Sequence, residues 1–133
     1  MRILNSDYTD IKSSYAKRKG AEVEDGKDKK LLFLCSQNKR RSLTAEKIFE
    51  HLDGYSVRSA GTENNARVKV TAGTLGWADI IFCMEKKHVR RIREKYSDVV
   101  SQKKIICLNI SDDYLYMDEE LIRILESAVD EYL

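Results

Sequence analysis

Proline is absent from this 133-residue chain, cysteine is scarce, and no apolar run is long. The missing proline has no physical account. The other shortages exclude more. The three cysteines, Cys35, Cys83 and Cys107, form no close pair and no metal-ligand spacing, so neither a disulfide framework nor a zinc site is expected. No apolar stretch approaches the ~20 residues of a membrane-spanning helix, and the first residues lack the apolar core of a signal peptide. The sequence therefore predicts a cytoplasmic protein with no membrane insertion. Internal repeats and low-complexity segments are missing as well.

What is present is enough for one modest hydrophobic core: 42% of the residues are hydrophobic, and one domain is the natural size for this length. Residues 1–30 have little periodicity and are rich in Lys, Asp, Glu, Ser and Gly. They are expected to form a loosely packed or disordered N-terminal extension with a short helix around Asp10–Arg18. From residue 31 to 133 apolar runs alternate with helical periods. Strands are expected at 31–35, 55–59, 79–84 and 104–108. Helices are expected at 43–53, near 70–76, at 86–95 and at 118–131. Strands separated by helices imply right-handed crossovers. The fold class is therefore α/β, a single-domain three-layer sandwich around a four-stranded parallel sheet. Leu121, Ile122, Leu125, Ala128, Val129 and Tyr132 recur at helical spacing in the last helix and are read as core.

The chemistry is concentrated between Leu31 and Ser42. An apolar strand, Leu31-Leu32-Phe33-Leu34, delivers Cys35 into the polar loop Ser36-Gln37-Asn38-Lys39-Arg40, which closes on Arg41 and a helix start at Ser42. Successive loop N–H groups and a helix N-terminus converge there on an anion, and the same field favours a thiolate. Cys35 is thus a candidate nucleophile toward phosphate. Arg41 offers a planar pair of donors that matches two phosphoryl oxygens. A bare Cys-x5-Arg occurs by chance in many proteins, but the order of strand, cradle and helix is what an anion site requires.

These residues resemble the low-molecular-weight protein tyrosine phosphatases, whose signature is a strand, Cys-x5-Arg-Ser/Thr and a helix. Asn38 falls where that family holds its loop in a left-handed kink, and Ser42 where a hydroxyl bonds the thiolate. Ser59-Ala60-Gly61-Thr62 looks like the family's Ser-Ala-Gly-Thr after the second strand, and Ala78 to Glu85 like its third strand and Met-Asp/Glu turn. Asp112-Asp113-Tyr114 lies where the family carries Asp-Pro-Tyr, so the resemblance implies that Asp112 is the general acid. The chain departs at Gln37 (commonly glycine), Arg40 (often a second cysteine), Leu43 (usually proline) and Asp113 (proline). Two adjacent carboxylates leave the acid open between Asp112 and Asp113. The match covers about residues 31–133 and is closest to a short bacterial branch of predicted tyrosine phosphatases.

The implied activity is a cysteine-dependent phosphomonoesterase acting through a phosphocysteine, with phosphotyrosine protein ranked first as substrate and inorganic phosphate as product or inhibitor. No cofactor or metal is needed. The site is expected to comprise Cys35, Arg41 and Asp112 for catalysis. Ser36, Gln37, Asn38, Lys39, Arg40, Ser42, Asp113 and Tyr114 are expected to bind the phosphate and its ester. Tyr114 and Tyr116 either flank the opening or anchor the turn. His51 and His88 are read as surface residues, because the chemistry already has its acid. Net charge is only +2, yet residues 39–104 carry 15 Lys/Arg against 8 Asp/Glu while residues 105–133 carry 1 against 8. Lys86, Lys87, Arg90, Arg91, Arg93 and Lys95 are read as solvating one helix, whereas Lys39 and Arg40 occupy the loop and should rim the pocket. That rim keeps open a polyanionic substrate: a phosphoinositide, an inositol phosphate or, ranked lower, a nucleic-acid terminal phosphate. A phosphate-binding module without turnover is a further alternative. Arsenate reduction is another, and it needs Cys83 or Cys107 to resolve an oxidised Cys35.

Overall fold

The structure, a computed structural model, describes residues 28–133. The helix expected around Asp10–Arg18 and most of the N-terminal extension lie outside the described residues. Nine elements follow in order: β1 (Lys29–Cys35), α1 (Arg41–Phe49), β2 (Tyr55–Gly61), α2 (Ala72–Trp77), β3 (Ile80–Cys83), α3 (Lys86–Lys95), α4 (Ser97–Val100), β4 (Lys104–Cys107) and α5 (Glu119–Asp130). The four strands form one sheet in the order β2-β1-β3-β4, and every pairing is parallel.

β1 is apolar without alternation because both of its faces are covered. Leu31, Phe33 and Cys35 point to one face, where Ala45, Ile48 and Phe49 of α1 meet Leu121, Ile122, Leu125 and Val129 of α5. Leu32 and Leu34 point to the other, against Leu75 of α2, Ile92 of α3 and Val100 of α4. Phe33 stacks between Phe49 and Phe82, with ring centroids 5.6 and 4.9 Å away. Each such ring, fully buried, contributes on the order of 2–3 kcal/mol by leaving water. No helix among the described residues is long and apolar enough to cross a membrane.

The strand order matters for function. From β1 the chain steps through α1 to β2 on one side, then returns through α2 to β3 on the other. The helix after β1 leads to β2 on one side, and the helix after the neighbouring β3 leads toward β4 on the other. The connections thus diverge at this switch point and open a crevice at the C-terminal ends of the strands. Cys35 is the last residue of β1.

Candidate active site

Segments from the C-terminal ends of all four strands meet around Cys35. The segment after β2 takes up the outward side of the loop: Thr62, Glu63 and Arg67 donate their N–H groups to the carbonyls of Cys35, Ser36 and Gln37 at 2.9, 3.1 and 2.9 Å. Arg67 Nε donates to the Asn38 carbonyl at 3.1 Å. In a trans peptide the C=O of one residue and the N–H of the next point opposite ways, so fixing these four carbonyls outward turns the N–H groups of Ser36, Gln37, Asn38 and Lys39 inward. Gly61 makes the close approach possible. A Cβ there would lie 2.5 Å from the Ser36 carbonyl oxygen and 2.5 Å from the Ala66 Cβ.

The sulfur sits inside this cradle. Cys35 Sγ accepts from the Asn38 N–H at 3.2 Å and lies 3.0 Å from Ser42 Oγ. Asn38 adopts φ 59°, a left-handed conformation that asparagine tolerates better than most residues. Its buried side chain fixes the kink by donating to Ser42 Oγ at 2.8 Å and to Ser59 Oγ at 2.9 Å. Ser59 in turn donates to Glu46 Oε1. α1 begins at Arg41 with no side-chain cap on its first turn, which leaves its N-terminus facing the anion position.

Arg41 is buried, 2% exposed, and its guanidinium is held from behind. One terminal nitrogen donates to Glu85 Oε2 at 2.5 Å and to the Ile110 carbonyl at 2.7 Å. Burial alone would raise the Glu85 pKa, but the Arg41 hydrogen bond and charge, with Lys87 and His88, outweigh it and hold the carboxylate below its ordinary value. Arg41 Nε is buried without a hydrogen-bond partner, and Asp112 Oδ1 lies 3.7 Å from it. A cation with one edge fixed and another unsatisfied is prepared for an anion.

His88 corrects the sequence reading. It is 1% exposed, because the inward face of α3 places it over the loop. Its Nδ1 accepts the Glu85 N–H at 3.0 Å and its Nε2 lies 3.0 Å from Ser36 Oγ. Burial first, then the Arg41 charge, lowers its pKa to about 4, so the ring is neutral at pH 7. His51 is exposed, as expected.

No protein-family model matches the chain, and no curated protein does. Solved structures do. The low-molecular-weight protein tyrosine phosphatase SP-PTP from Streptococcus pyogenes superposes with a TM-score of 0.65 at 19% identity, covering 79% of this chain and 91% of that one. Wzb from Vibrio vulnificus in complex with benzylphosphonate gives 0.64 at 18%, covering 78% and 96%. A cysteine-to-serine mutant of the YwlE arginine phosphatase, with its active-site serine phosphorylated, gives 0.59 at 19%, covering 77% and 94%. The chain has the low-molecular-weight phosphatase fold.

Within this phosphatase fold a cleft of about 420 Å³ is lined by Cys35, Ser36, Gln37, Lys39, Arg40, Arg41, Asn65 and Asp112. Asn38 and Ser42 lie buried behind it, bonded as described. Tyr114 does not line the cleft. It is half-buried and packs against the core, because the turn that carries it is tied down where Met117 N–H meets Thr44 Oγ1 at 2.9 Å. Asp113 does not line it either; it is exposed and accepts the Ser111 hydroxyl at 2.7 Å. Tyr116 is exposed on the same turn. Sequence reasoning missed Asn65, Arg67, Glu46 and His88. Of these, Arg67 and Asn65 follow closely on the Ser-Ala-Gly-Thr run, which was the available signal.

Cys83 and Cys107 occupy the far side of the sheet in this phosphatase fold. Cys83 packs with Leu32 and Leu34, opposite the face that Cys35 shares with Phe33, and Cys107 is the in-register partner of Cys83. Burial, reinforced by Cys107 beside it, pushes the Cys83 thiol up to about 12. A sheet separates both from Cys35. Both fit small strand residues, and this placement lends no support to the alternative in which one of them resolves an oxidised Cys35 for arsenate reduction.

Proposed function

We propose that the chain is a cytoplasmic, cysteine-dependent phosphomonoester hydrolase that works through a phosphocysteine intermediate, with phosphotyrosine protein as substrate. One observation carries the reading. The buried Arg41 Nε has no hydrogen-bond partner, and Arg41 shares a cleft with a sulfur that already accepts the Asn38 N–H of its own loop. Cys35, as thiolate, attacks phosphorus in line with the ester oxygen. The S–P bond forms, the P–O bond breaks, and Asp112 gives its proton to the departing oxygen. The inward N–H groups and Arg41 hold the equatorial oxygens, so the protein's contribution is chiefly positioning and charge stabilisation. Water then attacks the phosphocysteine and passes a proton to Asp112. The P–S bond breaks, and thiolate and inorganic phosphate are regenerated. The phosphorylated serine of the YwlE mutant supports a covalent route in this fold.

A second reading is favoured by the walls of the cleft. Among the described residues no aromatic side chain lines it, while Lys39 and Arg40 do. A polyanionic phosphoester is therefore the alternative substrate, with a nucleic-acid terminus ranked lower. The deciding experiment is steady-state hydrolysis of an aryl phosphate by wild type beside Cys35→Ser. Wild type turns over. The serine variant is inactive but still binds inorganic phosphate, because an alcohol of similar volume replaces the thiolate. Turnover by the variant would exclude the covalent mechanism.

A further inference from the structure

Two parts of the phosphate clamp are joined by one buried imidazole. Ser36 opens the nucleophile loop and lines the cleft, whereas Glu85 follows β3 and holds Arg41. His88 touches both, with Nε2 3.0 Å from Ser36 Oγ and Nδ1 3.0 Å from the Glu85 N–H. The proton on the ring is placed by its partners. An N–H donor faces Nδ1, so Nδ1 is the acceptor and the hydrogen is on Nε2. Nε2 therefore donates to Ser36 Oγ. That oxygen then has its own hydrogen to give, from a residue on the cleft wall, where an anion is expected.

Resting on the hydrolase reading above, we propose that His88 is a positioning residue for phosphoryl transfer: it aims the Ser36 hydroxyl at the phosphoryl group and ties that loop to the Glu85–Arg41 pair. A helix cap alone does not account for this geometry. The cap is complete with Glu85 and His88 exchanging side-chain and backbone bonds at the start of α3, and it makes no use of Nε2. The second nitrogen reaches 52 residues back along the chain to the nucleophile loop.

Asparagine places an acceptor where Nδ1 sits, keeping the Glu85 contact and losing Ser36. Glutamine places a donor near Nε2, keeping Ser36. The test compares the full chain with His88→Asn, His88→Gln, Ser36→Ala and the double variant Ser36→Ala/His88→Asn, on an aryl phosphate and with orthovanadate, a five-coordinate mimic of the transition state. His88→Asn and Ser36→Ala should each lower kcat about tenfold or more, the scale set by misplacement of a clamp, with KM within about threefold of wild type. Vanadate affinity should fall by the same factor as kcat, the double variant should be no worse than the poorer single one, and His88→Gln should recover part of the loss. Wild-type kcat and vanadate affinity in Ser36→Ala, or losses that multiply in the double variant, would overturn the inference. Ser36→Ala decides the matter alone if His88→Asn does not fold. A wild type that binds vanadate without hydrolysing aryl phosphate refutes the hydrolase reading only, and equal vanadate affinity in wild type and His88→Asn refutes the positioning role on its own.

Discussion

Asp112 and Asp113 are adjacent in sequence but differently placed. Asp112 lines the cleft 3.7 Å from Arg41 Nε, whereas Asp113 turns away to accept the Ser111 hydroxyl. Only the first can meet the ester oxygen of a phosphoryl group held by Arg41. Asp112→Asn should therefore lower kcat by roughly 10²–10⁴ for alkyl or weakly acidic phenyl leaving groups, and far less for an activated nitrophenyl ester, whose oxygen departs with little protonation. Asp113→Asn should remain close to wild type on both. A plot of log kcat against leaving-group pKa for the three proteins checks this, and a reversed pattern would make Asp113 the donor. At this scale the candidate residues that the structure brings together as the sequence placed them are near neighbours in the chain. Cys35, Asn38, Arg41 and Ser42 lie within one loop, so their spacing alone carried the geometry. Glu46 acts across folded distance, on Ser59, and no spacing rule points to it.

α3 shows how an element can be placed correctly and still be misread. Its bounds, Lys86–Lys95, coincide with the expected 86–95, and its six cations are all exposed, as a solvated helix requires. In so charged a helix a lone histidine reads as one more surface group. Its burial depends on a contact with Ser36 that only the assembled sheet creates. Other elements moved at their ends. β1 starts two residues early because Lys29 and Lys30 pair with Tyr55 and Ser56, and α1 stops at Phe49, short of residue 53. The four-residue α4 was too short to show periodicity. The buried imidazole also makes stability depend on pH. Burial, then the Arg41 charge of α1 and Lys87, depress the His88 pKa to about 4 from 6.5, against Glu85 and Asp112, which pull it up. As pH falls through 6.5 the unfolded chain takes up a proton that the folded chain refuses until near 4, so stability is lost across that window by at most about 3 kcal/mol, and the slope vanishes below it. Glu85, held below its ordinary value, adds a loss in the same direction at lower pH. Urea unfolding at pH 7.5, 6 and 5 should show the loss in wild type and a flatter profile in His88→Asn. An equally steep variant would mean that another group carries the linkage.

Across the whole molecule, charge and topology act together. The parallel order β2-β1-β3-β4 brings the ends of all four strands to one crevice, which the alternation of strands and helices in the sequence foretold in class though not in strand order. The same arrangement separates charge: the phosphate loop and α3 carry the cations, while α5 and the turn before it carry most of the late acids. Lys39 and Arg40 are exposed on the wall of the cleft, where their field reaches an approaching anion before contact. Such steering raises association rates and fades as salt shortens the Debye length to about 8 Å at physiological strength. Two kinds of substrate would feel it differently. A phosphoester with a second anionic group meets the full rim, whereas a small aryl phosphate is held mainly by Arg41 and the loop N–H groups. Replacing Lys39 and Arg40 together by apolar residues of similar length should thus lower kcat/KM for a multiply charged phosphoester by about tenfold more than for the aryl phosphate, a difference worth about 1.4 kcal/mol. The salt dependence of the first should flatten in the same variant. Equal losses on both substrates, with the salt slope unchanged, would show that the pair supports the loop and does not select, leaving phosphotyrosine protein as the better-matched substrate.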